Sequence, residues 1–263
     1  MSAFAQATAV EPAGDGAWRA TCDAGWSTGL GPNGGYLAAI VLRAMTAQLG
    51  DPARRARSLT CHYLRPPAEG EVRVDVTTER SGRSVSTLTA RLSQEGRLCV
   101  IAVGAFAIDL DGVLDYTSSP PAAAAPETAP RLPPAPEVPM TQHFEMRPVL
   151  GASLYAGADE ALSGGWLRFD DDRAPLDAPA LAMFADAWWP SPLPRLTRPA
   201  ALPTIDLTVH FRSPPRADGP VLAVFRSSTS AGGFFEEDGE LWSDDGVLLA
   251  HSRQLALLVE GGA

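Results

Sequence analysis

Residues 35–49 are apolar around the whole circumference of a helix. Leu37, Ala38, Ile40, Val41, Leu42 and Met45 leave no polar face, so the pattern predicts a helix buried nearly all round. Gly34 and Gly35 open it, and Gly50 stands just past its end as a C′ residue. Downstream the texture changes to short runs rich in Val, Thr, Leu and Ile. They predict strands over 57–64, 72–80, 84–93 and 98–109, separated by the turn signals PAEG, SG and QEG. One long helix followed by consecutive strands predicts an antiparallel sheet wrapped around that helix.

The second half repeats this plan. Asp177 caps a predicted helix from Ala178 to Trp189, with Pro179 in its first turn and Pro190 as its stop. Strands are predicted over 204–212, 220–229, 233–243 and 246–258. The agreement reaches single residues: SLTCHYLRPP (58–67) matches DLTVHFRSPP (206–215), GAWRAT (16–21) matches GWLRFD (165–170), and SQEGRLCVIAVGAFAI (93–108) matches SDDGVLLAHSRQLALL (243–258). Three matches in one order indicate a duplicated module. Between the copies, residues 118–139 hold eight prolines and few large apolar side chains, which predicts an extended linker. The expected division is therefore 1–117, a linker over 118–139, and 140–263.

Composition narrows the chemistry. At 263 residues and 45% hydrophobic, the chain has ample core for one large fold or two fused modules. No apolar run reaches the roughly 18 residues of a membrane helix, and the amino terminus has no signal-peptide pattern, so a cytoplasmic location without membrane insertion is expected. A net charge of −10 argues against nucleic acid as a partner. All 21 basic residues are Arg, which removes Schiff-base chemistry and lysine general bases. Cys22, Cys61 and Cys99 are too scattered for a zinc cluster, and no metal or cofactor is expected.

Asp186 is the one charged residue in the predicted Ala178–Trp189 helix, set between Phe184 and Trp188. A carboxylate isolated against aromatic surface has a raised pKa, which suits a general base, although periodicity alone allows a surface Asp equally. Thr204 begins a strand and offers one hydroxyl. Gln254 interrupts a strand interior that should be apolar, so its amide needs partners, either neighbouring backbone or a water shared with another polar group.

The glycine pair opening a buried helix, the segment RSGRSVSTLTARLSQEG (80–96) and the stretch from TIDLTVHFR (204–212) to HSRQ (251–254) resemble the acyl-CoA thioesterase II (TesB-like) family. The resemblance implies an α+β double hotdog fold: two tandem antiparallel-sheet modules, each around a long central helix. It also implies acyl-CoA as substrate and hydrolysis of its thioester, with Asp186, Thr204 and Gln254 sharing one nucleophilic water. Gly34, Gly35 and Tyr36 at the helix start would offer backbone donors to the oxyanion, although a tight turn packed on the sheet accounts for the same glycines. Trp188 would shape the acyl pocket. Arg83, with Arg54, Arg55, Arg57 and Arg80, is a candidate for the coenzyme A phosphates, each being otherwise a solvated charge. The first half has Gly104 where the second has Gln254, and Arg43 as the only charge in its helix, so one site per chain is expected. A homodimer or higher homo-oligomer is expected from long strand edges.

Three other readings compete. GWSTG (25–29) fits the serine-hydrolase elbow, but consecutive strands follow it instead of alternating strands and helices, so Ser27 is expected in a loop. A hotdog hydratase would need His beside Asp near the central helix, whereas His62 and His210 fall on predicted strands. A non-catalytic acyl-CoA or hydrophobic-ligand-binding protein would keep the apolar surroundings without the chemistry.

Overall fold

The protein, described by a computed structural model over residues 1–171, 174–214 and 219–260, begins with helix α1 (Ala3–Ala7) and strands β1 (Glu11–Gly14) and β2 (Ala17–Cys22). Helix α2 (Gly34–Leu49) follows, then β3 (Arg55–Tyr63), β4 (Gly70–Ser81), β5 (Val85–Gln94) and β6 (Arg97–Ala107). The second half supplies β7 (Phe144–Gly151), β8 (Leu162–Phe169), helix α3 (Ala178–Phe184), β9 (Ala200–Ala201), β10 (Thr204–Phe211), β11 (Val221–Arg226), β12 (Ser230–Ala231), β13 (Phe234–Trp242), β14 (Leu248–Leu257) and β15 (Val259–Glu260).

Local chemistry sets the bounds of α2. Asn33 Oδ1 accepts the Tyr36 N–H at 2.9 Å at the start, and Gly50, at φ 63°, closes the end with its N–H on the Thr46 carbonyl. From Gly35 to Met45 all but Arg43 are buried, as an apolar circumference requires.

Thirteen strands form one sheet in the order β1-β2-β4-β5-β6-β3-β10-β14-β13-β11-β8-β7, with β12 attached to β13, and β9 pairs with β15 in a separate two-stranded sheet. Read from its centre outward the order is the same on both sides: β3 and β10, then β6 and β14, β5 and β13, β4 and β11, β2 and β8, β1 and β7. At the centre Thr60 lies opposite Thr208, and their hydroxyls are 3.0 Å apart. These are equivalent residues of the LTCHY and LTVHF repeats, so a local twofold passes between them. The strand registers repeat too: Leu59 faces Gly104 as Leu207 faces Gln254. Pro215, the last residue of the repeated Pro-Pro, lies outside the described residues.

The structure differs from the expected plan in three places. The second helix does not run to Trp189; it ends at Phe184 after seven residues. Beyond it the bonds tighten to the i→i−3 type, with the Asp186 N–H on the Met183 carbonyl and the Ala187 N–H on that of Phe184. The tighter winding turns Asp186 toward α2, so only the first half holds a long central helix.

The Pro-rich segment is also more than a tether. Ala123 joins Trp166, Leu222, Val224, Trp242 and Leu248 in an apolar cluster separate from the main core. The Ala124 carbonyl accepts the Trp166 indole N–H at 2.7 Å, and the Leu132 N–H bonds the Met146 carbonyl. The segment therefore straps the second module.

The edges of the sheet, finally, are blunted. β1 is four residues long and contains Pro12, and β7 contains Pro148 beside a register shift. Such edges do not invite pairing. No helix among the described residues is long and apolar enough to cross a membrane.

Candidate active site

Asp186 lies two residues past the end of α3 and projects onto the start of α2. Its Oδ2 accepts the Gly35 N–H at 3.0 Å and the Asn33 side-chain N–H at 3.0 Å. The same Asn33 nitrogen donates to the Asp186 carbonyl at 2.7 Å. Burial pushes this carboxyl up to about 6, while bonds from Gly35, Gly34 and Asn33 pull it down. The positive end of the α2 dipole adds to that pull. A carboxylate that is desolvated yet still ionisable near neutrality can take a proton from water.

The glycine pair makes this contact possible. A Cβ on Gly35 would lie 2.7 Å from the Met183 carbonyl oxygen and 2.8 Å from that of Ala182; one on Gly34 would lie 2.9 Å from Asp186 Oδ2. The opening of α2 therefore packs directly on the closing turn of α3. At the far end of the helix pair, Arg43 faces Asp177 at 3.4 Å.

A second polar group sits on the strands. The Thr204 hydroxyl donates to Gln254 Oε1 at 3.2 Å, Gln254 Nε2 donates to Glu237 Oε1 at 2.7 Å, and the Ser191 N–H donates to Glu237 Oε2 at 2.5 Å. Gln254 and Glu237 are cross-strand partners on β14 and β13 and both are buried. Burial pushes Glu237 up to about 7 against the bonds it accepts, and the charge of Asp186 raises it further. Asp186 thus lies within electrostatic reach of this group, and one short loop, 186–191, carries both Asp186 and the Ser191 amide. Asp186 itself forms no hydrogen bond with Thr204 or Gln254.

Not every residue expected at the site is there. Tyr36 is fully buried in the core; its hydroxyl donates toward the Ala7 and Thr21 carbonyls and accepts the Asp23 N–H. The Gly35 amide expected to meet an oxyanion is given to Asp186 instead. Trp188 is buried, its ring 4.7 Å from that of Trp189, and neither indole N–H has a partner among the described residues. Arg83 is exposed in the β4–β5 turn. Arg54 is bound to Asp51, Ser86 and the Gly82 carbonyl, and Arg55 and Arg57 pair with Asp109, so these three serve local structure. Ser27 lies in a loop with its hydroxyl on the Gly31 carbonyl. His62 and His210 are exposed, on the face of their strands opposite the buried Cys61, Leu207 and Val209.

Sequence reasoning missed Asn33, Glu237 and Tyr63, whose hydroxyl donates to the Gly34 carbonyl at 2.8 Å. Glu237 carried a signal: in β13 it alternates with Phe235, Gly239 and Leu241, all facing inward. Asn33 and Tyr63 carried none, because their roles arise from contacts between distant elements. In the first half, the registers put Leu88 where Glu237 stands and Gly104 where Gln254 stands. The space beside Gly104 is taken by Met45, whose Sδ would lie 2.9 Å from an added Cβ. The polar group exists once.

Known proteins share this architecture. A conserved protein of unknown function with a hot dog fold from Alicyclobacillus acidocaldarius superposes with a TM-score of 0.89 at 28% identity, covering 100% of both chains. The acyl-CoA thioesterase II TesB2 of Mycobacterium marinum superposes with a TM-score of 0.80 at 20% identity over 99% of each chain, a likeness of fold. The thioesterase-like protein TwmA of Talaromyces wortmannii is 30% identical over 169 residues, 62% of this chain and 48% of that protein. The chain thus spans about half the length of the curated relative it matches. Family models for the acyl-CoA thioesterase N-terminal and C-terminal domains match residues 22–107 and 120–258 in tandem, and with both halves covered the protein belongs to the acyl-CoA thioesterase family.

Proposed function

We propose that the protein hydrolyses acyl-CoA thioesters by direct attack of water, with Asp186 as general base. The observation that carries this reading is a desolvated carboxylate, raised to about 6, beside the Thr204–Gln254–Glu237 chain. Asp186 takes one proton as the water oxygen bonds to the carbonyl carbon. The C–S bond then breaks, and the departing thiolate recovers that proton, giving a carboxylic acid and free coenzyme A. Thr204 and Gln254 orient the water, so their contribution is positional. Trp188, buried two residues beyond Asp186, shapes the acyl pocket. Gly34 leaves room for the Asp186 carboxylate at the start of α2, and Arg83 is the phosphate contact. Self-association as a homo-oligomer belongs to the same proposal, through a face of the sheet and not through its proline-bearing edges.

A panel of acyl-CoA thioesters of graded chain length, read with a thiol reagent, tests the reaction. Asp186→Asn should lower kcat by about 100-fold or more. A second reading is favoured by one observation: buried Trp188 and half-buried Trp189 stand immediately after the carboxylate. If they close the approach, the protein binds acyl-CoA without cleaving it. Saturable binding with no thiol release would establish that alternative.

A further inference from the structure

Glu237 is an unusual resident of a sheet interior. It is 4% exposed, no Arg among the described residues pairs with it, and its counterpart in the first module is Leu88, fully buried in the apolar core. A carboxylate buried without a counter-charge is costly unless hydrogen bonds offset it. Here the offset comes from two donors, one on each oxygen.

Those donors have a direction. The Ser191 backbone N–H can only donate, which makes Glu237 Oε2 an acceptor. On Oε1 the ionised carboxylate, the form that prevails above about pH 7, also accepts only, so it selects the NH2 end of the Gln254 amide. The Gln254 oxygen is thereby turned to Thr204 and receives its hydroxyl proton. Without the carboxylate, the two amide orientations would differ little in energy and the Thr204 hydroxyl could point either way.

We propose that Glu237 is a positioning residue: by holding the Gln254 amide in one orientation it commits the Thr204 proton to Gln254 and leaves the Thr204 lone pairs to accept a hydrogen from the attacking water. With one water hydrogen on Thr204 and the other on Asp186, an oxygen lone pair is left for the carbonyl carbon. The proposal rests on the hydrolase reading above and extends it to a residue that never touches substrate.

Glu237→Gln is the direct test. Its amide has one acceptor oxygen, so it must either set a donor against the Ser191 N–H or force Gln254 to flip and present NH2 to Thr204. The expected result is a kcat lowered about tenfold with KM changed less than about twofold, because orientation and not binding is lost. In a Gln254→Ala background the same substitution should change kcat by less than about twofold, since nothing is left to orient. Full kcat in Glu237→Gln, or the same loss with and without Gln254, overturns the proposal. Glu237→Leu, which restores the first-module residue, provides a second variant if the first folds poorly, and it should behave alike.

The anchoring is also read without turnover. The side-chain amide signal of Gln254, identified by its absence in Gln254→Ala, should be protected from solvent exchange in the unmodified protein and should lose that protection in Glu237→Leu. A protein that releases no thiol from any acyl-CoA defeats the hydrolase reading and, with it, the catalytic part of this one. A Gln254 signal unmoved by either substitution defeats the anchoring by itself.

Discussion

At the scale of single residues, the buried carboxyl of Asp186 costs stability when it ionises. Its folded pKa of about 6 lies above the roughly 3.9 of an unfolded Asp. The folded state therefore binds the proton more tightly, and stability falls as pH rises from about 4 to about 6. Full linkage would amount to about 3 kcal/mol, and the partial exposure of the side chain reduces this to about 1–2 kcal/mol. Asp186→Asn should accordingly melt a few degrees higher than the unmodified protein at pH 8. That difference should vanish at pH 4, where both side chains are neutral; thermal melts at the two pH values check it. Under the proposed hydrolysis the same ionisation governs turnover. A general base works deprotonated, so kcat/KM should climb as pH rises through about 6 and then level. A pH–rate profile flat from 5 to 8 would place the base elsewhere.

At the scale of elements, the decisive contact is that between the opening of α2 and the closing turn of α3. An added methyl on Gly35 would meet two backbone carbonyl oxygens, at 2.7 and 2.8 Å, which cannot swing aside as a side-chain tip could. Gly35→Ala should therefore cost about 1–3 kcal/mol through overpacking. It should also lower kcat by shifting Asp186, measurable as a loss of activity at temperatures where the variant is still folded. This contact explains why the strands were legible and the second helix was not. Period-two alternation in β10 and β13 and apolar runs bounded by turns in β11 and β14 are written into the sequence, and these predicted spans agree with the observed ones within three residues. The end of α3 is not written locally: residues 185–189 have acceptable helical composition, and what stops the helix is the pull of Asp186 toward amides 150 residues earlier.

At the scale of the whole molecule, the two modules share one sheet through the β3–β10 pair, with equivalent threonines meeting at its centre. Their helices pack on each other, and a single large core contains residues from both. Separation would expose that seam. Unfolding in denaturant should therefore be one cooperative transition by fluorescence and by circular dichroism alike. Residues 109–119 are exposed throughout, so limited proteolysis should cut there first. The nicked halves should still elute together, held by the β3–β10 pair and by the core that both modules share. Elution as two separate fragments would contradict the shared core.

The sequence by itself determined the duplication, the strands and the buried first helix, because periodicity, turn chemistry and repetition are local properties that survive without neighbours; Asp186, Thr204 and Gln254 were singled out by family resemblance. Tertiary structure alone decided that Gly34 and Gly35 serve a helix-to-helix approach, that the Gly35 amide holds the Asp186 carboxylate, and that Glu237 accepts from Gln254. Each of these depends on which distant segment arrives at the same point in space. Desolvation and hydrogen-bond direction follow from that arrival, and no spacing along the chain encodes them.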